Sequence, residues 1–321
     1  MNIFGFFPRK KKQRKFKFVH FLKTYFSLII VLALFTVFSE LIFLNIIIKK
    51  NLQNYHLKHE PFLIPHAALY PVLQKKTNPS ISAEAAFILN ADSMVVLYEK
   101  NAHKIFSTAS TAKIMTAFTS LGYFKQSDIL VIESANVEGS RVGFKKGEKL
   151  FFNDVLYGML LPSGNDAAVA IAQNYPGGQQ EFIKKMNQNA SELYLSSMHF
   201  SDPTGLDARD FSTPFDLAHL AAISLENKEF ASIVKTRYKT IQTTDGSSQY
   251  SLTNLNKLLE LEGINGVKTG FTEEAGGVLV TSYVENGHTF ILVTMKSEDR
   301  FADTKQLLSL IQGNIGYERF E

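Results

Sequence analysis

Three short polar motifs follow one another along the chain, and together they constrain its fold more than any other feature of the sequence. They are Ser110-Thr111-Ala112-Lys113, Ser163-Gly164-Asn165 and Lys268-Thr269-Gly270. In the first motif, a lysine three residues after a serine at a helix start places both side chains on one face, about one turn apart. This spacing is typical of a nucleophile and its base in serine acyl transfer without histidine.

Each motif alone is a weak signal, because such short patterns also arise by chance. Ser232-Ile233-Val234-Lys235 repeats the serine–lysine spacing, but it follows the second motif and cannot supply the ordered set. Two structural alternatives also apply locally. Ser110 would serve as a helix N-cap, and a turn with an N-cap would explain residues 163–166, with Asp166 as a cap rather than a catalyst.

The longer context resembles the D-alanyl-D-alanine carboxypeptidase family, the low-molecular-mass penicillin-binding proteins. The resemblance extends from about Ala83 to about Ile315. One departure is Ser107-Thr108, where the family usually carries a proline; it alters a loop and leaves the nucleophile in place. The matching blocks are Ala109–Thr116, Leu160–Ala168, Met186-Asn187, Asp202–Asp207 and Gly266–Thr272.

The resemblance implies catalytic roles for three residues in the cleavage of a peptide that ends in D-Ala-D-Ala. Ser110 would attack the carbonyl carbon to give an acyl-enzyme and free D-alanine. Lys113 would be the base, with its pKa lowered by burial and by the nearby charge of Lys268. Ser163 would relay the proton to the leaving nitrogen.

The same resemblance implies the substrate-binding residues. Asn165 would hold the substrate amide, and the backbone N–H groups of Ser110 and Phe271 would form the oxyanion hole. Arg300 aligns loosely with a carboxylate-binding arginine of the family, and its alternative is a solvated surface charge. The third motif would bind the substrate carboxylate on the strand that edges the cleft, with a close backbone approach at its glycine: Lys268, Thr269 and Gly270.

A run of about 25 mostly apolar residues, Thr24–Ile48, would span roughly 37 Å as a helix, against a hydrocarbon core of about 30 Å. Eight Lys or Arg residues precede it within residues 1–23, and only Lys49-Lys50 closes it. We therefore expect an uncleaved, single-pass anchor in a bacterial cell membrane, with a cytoplasmic arm at 1–23 and the remaining chain outside.

Charge and composition exclude several classes of function. The net charge is +4, but without the basic arm the chain has 26 basic and 30 acidic residues, which argues against a nucleic-acid partner. There is no cysteine, so disulfides and thiol chemistry are excluded. The sequence suggests no cofactor and no metal, since His56, His59 and Glu60 lack further ligands nearby.

The apolar pattern predicts an α+β fold in which helices flank a mainly antiparallel sheet and form a helical subdomain, as in β-lactamases and DD-peptidases. We expect a linker at 49–82, the catalytic domain at 83–315 and a tail at 316–321. The site would lie between sheet and helices. Predicted elements are strands at Ala85–Asn90, Met94–Glu99, Gly277–Val284 and Thr289–Met295, and helices from Ser110 and at Asp166–Gln173, Gln179–Leu195, Pro214–Ser224 and Phe301–Ile311.

The expected activity is removal of the terminal D-alanine from peptidoglycan stem peptides, with β-lactams as covalent inhibitors. A β-lactamase is one alternative, but the stretch Asp202–Asp207 carries no glutamate of the class A type. A D,D-endopeptidase of the same fold is a second alternative. A third, an inactive peptidoglycan-binding module, is opposed by the intact motifs.

Overall fold

The computed structural model describes residues 38–40, 42–43, 69–134 and 136–319. The chain divides into two units, Met1–His66 and Ala67–Glu321. In the first unit, residues 38–40 and 42–43 are helical. The other residues of the predicted anchor, the basic arm and the triad His56, His59 and Glu60 lie outside the described residues. Where the chain is described, no helix combines the length and the apolar character needed to cross a bilayer.

The second unit is built on a five-stranded antiparallel sheet with the order β10-β11-β12-β2-β3. Four strand pairs lie outside this sheet, and each has two strands. The strands are β1 (Leu69–Leu73), β2 (Ala85–Asn90), β3 (Val96–Lys100), β4 (Phe106–Ser107), β5 (Ile129–Val131), β6 (Lys149–Phe151), β7 (Phe211–Ser212), β8 (Tyr238–Gln242), β9 (Gln249–Thr253), β10 (Ile264–Thr272), β11 (Gly276–Glu285), β12 (His288–Ser297) and β13 (Ile315–Arg319).

Helices fill the middle of the chain and close its end. Two short 3-10 turns, Ala109–Ala112 and Lys257–Glu260, accompany them. The helices are α1 (Lys113–Leu121), α2 (Phe152–Leu160), α3 (Asn165–Gln173), α4 (Gly178–Glu192), α5 (Pro214–Leu225), α6 (Lys228–Val234) and α7 (Arg300–Ile311).

Both faces of the sheet are covered, and the alternation of side chains along β2 explains how. Phe87 and Leu89 point into the large core shared with the helical middle of the chain. Ala86 and Ile88 belong to a second core with residues of α7. All six residues of β2 are therefore buried, and the strand reads as a continuous apolar run.

The predicted elements agree closely with the observed ones. The predicted hairpin turn Asn286-Gly287 joins β11 to β12, and both residues have positive φ, 52° and 82°. This is the backbone of a type I′ turn, which suits the twist of the two strands. The predicted α+β class, with an antiparallel sheet and flanking helices, is confirmed.

The folded unit extends beyond the predicted limits of 83 and 315. Residues 69–73 lie in the expected linker and residues 316–319 in the expected tail, yet Leu69–Leu73 pairs with Ile315–Arg319 in an antiparallel ladder. The two segments are separated by the whole domain in sequence. Because their partner lies so far along the chain, no local turn signal marks the pairing.

Candidate active site

The predicted nucleophile and base lie next to each other at the start of α1. Ser110 is in the 3-10 turn Ala109–Ala112, and Lys113 opens the α-helix that follows. Lys113 Nζ is 3.1 Å from Ser110 Oγ. The residues at the N-cap positions of the turn and the helix are Thr108 and Ala112, so the alternative of Ser110 as an N-cap does not hold.

The Lys113 amine is fully enclosed and tightly held. It donates to Asn165 Oδ1 at 2.6 Å and to the Thr204 carbonyl at 2.7 Å. Burial lowers the pKa of Lys113 from 10.5 to about 7, while the charges of Asp202, Asp166 and Asp210 act in the opposite direction. A substantial neutral fraction is therefore present near pH 7, as a base needs.

The second motif lies where α3 begins, as predicted for a loop that leads into a helix. Ser163 precedes the helix with a φ of 63°, and Asn165 is its first residue. Asn165 Nδ2 donates to the Glu138 carbonyl at 2.6 Å, so the side chain links Lys113 to the loop that precedes β6. The positive φ of Ser163, which costs about 1–3 kcal/mol, is held by this environment.

Lys268 extends from β10, the edge strand of the sheet, as predicted for the third motif. Its Nζ donates to Ser163 Oγ and to the Thr269 carbonyl, both at 2.9 Å. Burial, followed by the charges of Lys113 and Arg300, lowers the pKa of Lys268 well below its ordinary value. Burial thus accounts for the low pKa of Lys113, and the repulsion between the two lysines lowers that of Lys268 instead.

The third motif also approaches the nucleophile through its backbone. A Cβ on Gly270 would lie 3.0 Å from Ser110 N, 3.1 Å from Ala109 Cβ and 3.2 Å from the Thr108 carbonyl oxygen. Glycine is required here because β10 passes directly beside the turn that carries Ser110. The backbone N–H groups predicted for the oxyanion hole, of Ser110 and Phe271, are therefore on adjacent segments.

Arg300, at the start of α7, lies beside the same strand. Its Cζ is 6.0 Å from the centre of the Phe271 ring, and Phe271 is 62% exposed. Burial lowers the pKa of Arg300, and its Nε is buried with no hydrogen-bond partner among the described residues. The side chain faces the edge of the cleft rather than bulk solvent alone, which favours the carboxylate-binding alternative.

Two carboxylates near the site hold loops, and sequence analysis assigned neither role. Asp166 was expected to be a cap; instead its oxygens accept from the backbone N–H groups of residues 142–144, at 2.8 to 3.2 Å. Asp202 organises the turn that presents the Thr204 carbonyl. The only sequence signal for the second was the turn-forming composition of Asp202–Asp207.

The repeated serine–lysine pattern at 232–235 is not part of the cleft. Ser232 lies in α6 and Lys235 follows it, and both side chains are exposed. In the described part of the chain, no group of three or more histidine or acidic residues is placed to hold a metal ion.

Comparison with known proteins agrees with this geometry. Residues 73–299 match the model of the family described as D-alanyl-D-alanine carboxypeptidase. The chain is 34% identical over 209 residues to D-alanyl-D-alanine carboxypeptidase DacF of Bacillus subtilis, a match that covers 62% of this chain and 54% of DacF. It thus spans about half the length of that relative.

Two further relatives match over more of their length. D-alanyl-D-alanine endopeptidase of Pseudomonas aeruginosa is 30% identical over 236 residues, which cover 71% of this chain and 76% of the relative. The crystal structure of the Streptomyces K15 DD-transpeptidase superposes with a TM-score of 0.69 at 32% identity, covering 73% of this chain and 98% of the other. With the ordered motifs joined in one cleft and the family match over residues 73–299, this chain belongs to the D-alanyl-D-alanine carboxypeptidase family of serine hydrolases.

Proposed function

We propose that this protein is a membrane-anchored serine-type D-Ala-D-Ala carboxypeptidase that removes the terminal D-alanine from peptidoglycan stem peptides. The observation that carries the proposal is the 3.1 Å separation between Lys113 Nζ and Ser110 Oγ. A neutral amine has two N–H groups, and Asn165 Oδ1 and the Thr204 carbonyl accept both. The lone pair is then left for the proton of the Ser110 hydroxyl, as general-base catalysis requires.

Acylation moves one proton at each end of the bond that is cut. Lys113 takes the Ser110 proton as Oγ bonds to the carbonyl carbon, and the oxyanion forms beside the backbone N–H groups of Ser110 and Phe271. As the C–N bond breaks, Ser163, which is hydrogen-bonded to Lys268, delivers a proton to the leaving nitrogen. D-alanine departs, and water then hydrolyses the ester and restores Ser110.

The cationic edge of the cleft suits a substrate that ends in a carboxylate. Lys268, Thr269 and Arg300 supply charge and a hydroxyl on one side, and Gly270 allows the substrate backbone to approach β10. Asn165 Nδ2 has a second N–H in addition to the one given to the Glu138 carbonyl, and this group is assigned to the substrate amide. A free terminal carboxylate is what distinguishes a carboxypeptidase substrate.

The direct test is release of D-alanine from a peptide that ends in D-Ala-D-Ala, with the full chain in detergent. The proposal expects release by the wild type and none by Ser110→Ala. A parallel incubation with penicillin separates peptidase from β-lactamase. Because the turn after the second motif has no glutamate to hold a hydrolytic water, we expect a covalent mass increase on Ser110 that persists for minutes or more. Fast penicillin hydrolysis without peptide turnover would establish the β-lactamase instead.

A D,D-endopeptidase is the second candidate, and the relative of that name in Pseudomonas aeruginosa favours it. The two activities differ in whether the residue released carries a free carboxylate. Arg300 is the discriminating residue, because a cross-linked substrate offers no terminal carboxylate there. Cleavage of a cross-linked peptide dimer at a rate equal to that of the D-Ala-D-Ala peptide would select the endopeptidase.

The membrane anchor is proposed from the apolar run Thr24–Ile48 and the basic arm before it. The expected topology is a single pass with the catalytic unit outside the cytoplasm. Protease added to intact spheroplasts should digest the catalytic unit. Full protection of that unit would reverse the topology.

A further inference from the structure

A tight turn, Asp202–Asp207, lies against the nucleophile and base. Its Thr204 carbonyl accepts from Lys113 Nζ at 2.7 Å, and its Pro203 carbonyl accepts from Thr116 Oγ1 at the same distance. A Cβ on Gly205 would lie 1.9 Å from the Ala109 carbonyl oxygen. The turn therefore touches the residue before Ser110 and holds the amine of Lys113, so its shape determines where the lysine points.

The Asp202 carboxylate determines that shape. Its Oδ1 accepts from the Thr204 N–H, from Thr204 Oγ1 at 2.6 Å and from the Gly205 N–H at 2.8 Å. Its Oδ2 accepts from the Asp207 N–H at 2.6 Å. Both oxygens are thus engaged by the turn itself, and they bind the residues on either side of the Thr204 carbonyl bond. No other described side chain accepts from the N–H groups of Thr204, Gly205 and Asp207.

We propose that Asp202 is a positioning residue for catalysis: its carboxylate orients the Thr204 carbonyl that holds the Lys113 amine against Ser110. The inference rests on the proposed role of Lys113 as the base. Asp202 does not touch the reacting atoms, and it acts on them through Thr204.

The charge of Asp202 adds an electrostatic effect to the positional one. The charged groups that act on Lys113 are Asp202, Asp166 and Asp210, which raise its pKa against the larger effect of burial. Lys268 faces Lys113 from β10 with the opposite influence. Removing the negative charge of Asp202 therefore lowers the pKa of Lys113, and the neutral base becomes available at lower pH.

Asp202→Asn and Asp202→Ala separate the two effects. Asparagine keeps one acceptor for the Thr204 and Gly205 N–H groups but loses the charge and the second acceptor. Alanine removes all of them. The matched control is Asp245→Asn, because Asp245 also organises a turn, by accepting from Thr243 Oγ1 and the Ser247 N–H, but on the exposed β8–β9 hairpin.

The measurement is the rate of covalent labelling of the full chain by a fluorescent penicillin, as a function of pH. We expect the acid limb of the profile to move to lower pH in Asp202→Asn. In Asp202→Ala, we expect the plateau rate to fall by about 100-fold, as for a base displaced by about 1 Å. Asp245→Asn should match the wild type in both respects.

The outcomes separate this inference from the function on which it rests. A wild type that penicillin does not label removes the proposed function and this inference with it. A labelled wild type, with an Asp202→Asn profile that superposes on the wild type and the control, removes the inference alone. If Asp202→Ala does not fold, the asparagine variant decides, because the shift of the acid limb does not arise from a loss of folded protein.

Discussion

Lys268 and Ser163 are 105 residues apart in the sequence, yet Lys268 Nζ donates a hydrogen bond to Ser163 Oγ at 2.9 Å. Lys113 and Ser110 form a second lysine–serine pair in the same cleft, at 3.1 Å. Both amines are buried, and burial is the main cause of both lowered pKa values. Two hydroxyls thus have an amine partner each, one suited to remove a proton and the other to supply one.

Ser110→Ala should abolish covalent labelling by a fluorescent penicillin, because the β-lactam carbonyl acylates the oxygen that this variant lacks. The fold should remain intact, as judged by thermal unfolding. Ser232→Ala is the matched control, since it removes the serine of the second Ser-x-x-Lys pattern on the exposed face of α6. Labelling that survives in Ser110→Ala would take the nucleophile role from Ser110.

The rate of acylation should rise with pH through about 7, the pKa of Lys113. Burial lowers this pKa, so the amine is charged and inactive below it and neutral above it. The measurement is the labelling rate of the wild type between about pH 5 and pH 9. Lys113→Ala should stop labelling across this range. A flat wild-type profile would contradict the assignment of Lys113 as the base.

Gly205→Ala should damage both stability and acylation. Gly205 has a φ of 82°, and a Cβ there would meet the Ala109 carbonyl oxygen at 1.9 Å, so the turn or the Ser110 segment must move. We expect a loss of about 100-fold in labelling rate. Gly246→Ala is the control, because Gly246 has a φ of 71° but nothing within 4 Å of its added Cβ. It should show only the backbone strain, about 1–2 kcal/mol, with normal labelling.

Asp210→Asn should flatten the dependence of stability on pH. Burial, and then the charge of Asp202, raises the pKa of Asp210 to about 8. The folded state therefore binds a proton that the unfolded state releases near pH 4, and this contribution to stability is lost as pH rises from about 4 to 8. Asparagine does not ionise, so the melting temperature of the wild type should fall relative to the variant over this range. A constant difference in melting temperature would contradict the raised pKa.

Arg300→Ala should raise the KM for a D-Ala-D-Ala peptide by about 10- to 150-fold, with little change in kcat. This is the effect expected for loss of a charge-assisted bond to the substrate carboxylate. Lys305→Ala, on the exposed side of α7, removes a positive charge from the same helix as a control. An unchanged KM in Arg300→Ala would return Arg300 to the role of a surface charge.

Local patterns were sufficient to predict the elements and the motif residues. The helix from Lys113 and the strand at Ala85–Asn90 follow from apolar periodicity, and Asn286-Gly287 is a turn signal that acts over two residues. Ser110 and Lys113 are three residues apart on one helical segment, so their contact follows from helix geometry. Each of these predictions depends on residues close in sequence.

The sequence by itself determined the elements, the order of the motifs and the family to which they belong. The tertiary structure decided what surrounds the Lys113 amine: the Thr204 carbonyl 91 residues away and the Asn165 side chain 52 residues away. It also decided that Asp166 anchors a loop and that Leu69–Leu73 pairs with Ile315–Arg319. These contacts depend on burial and on hydrogen bonds between distant segments, which no local period or propensity records.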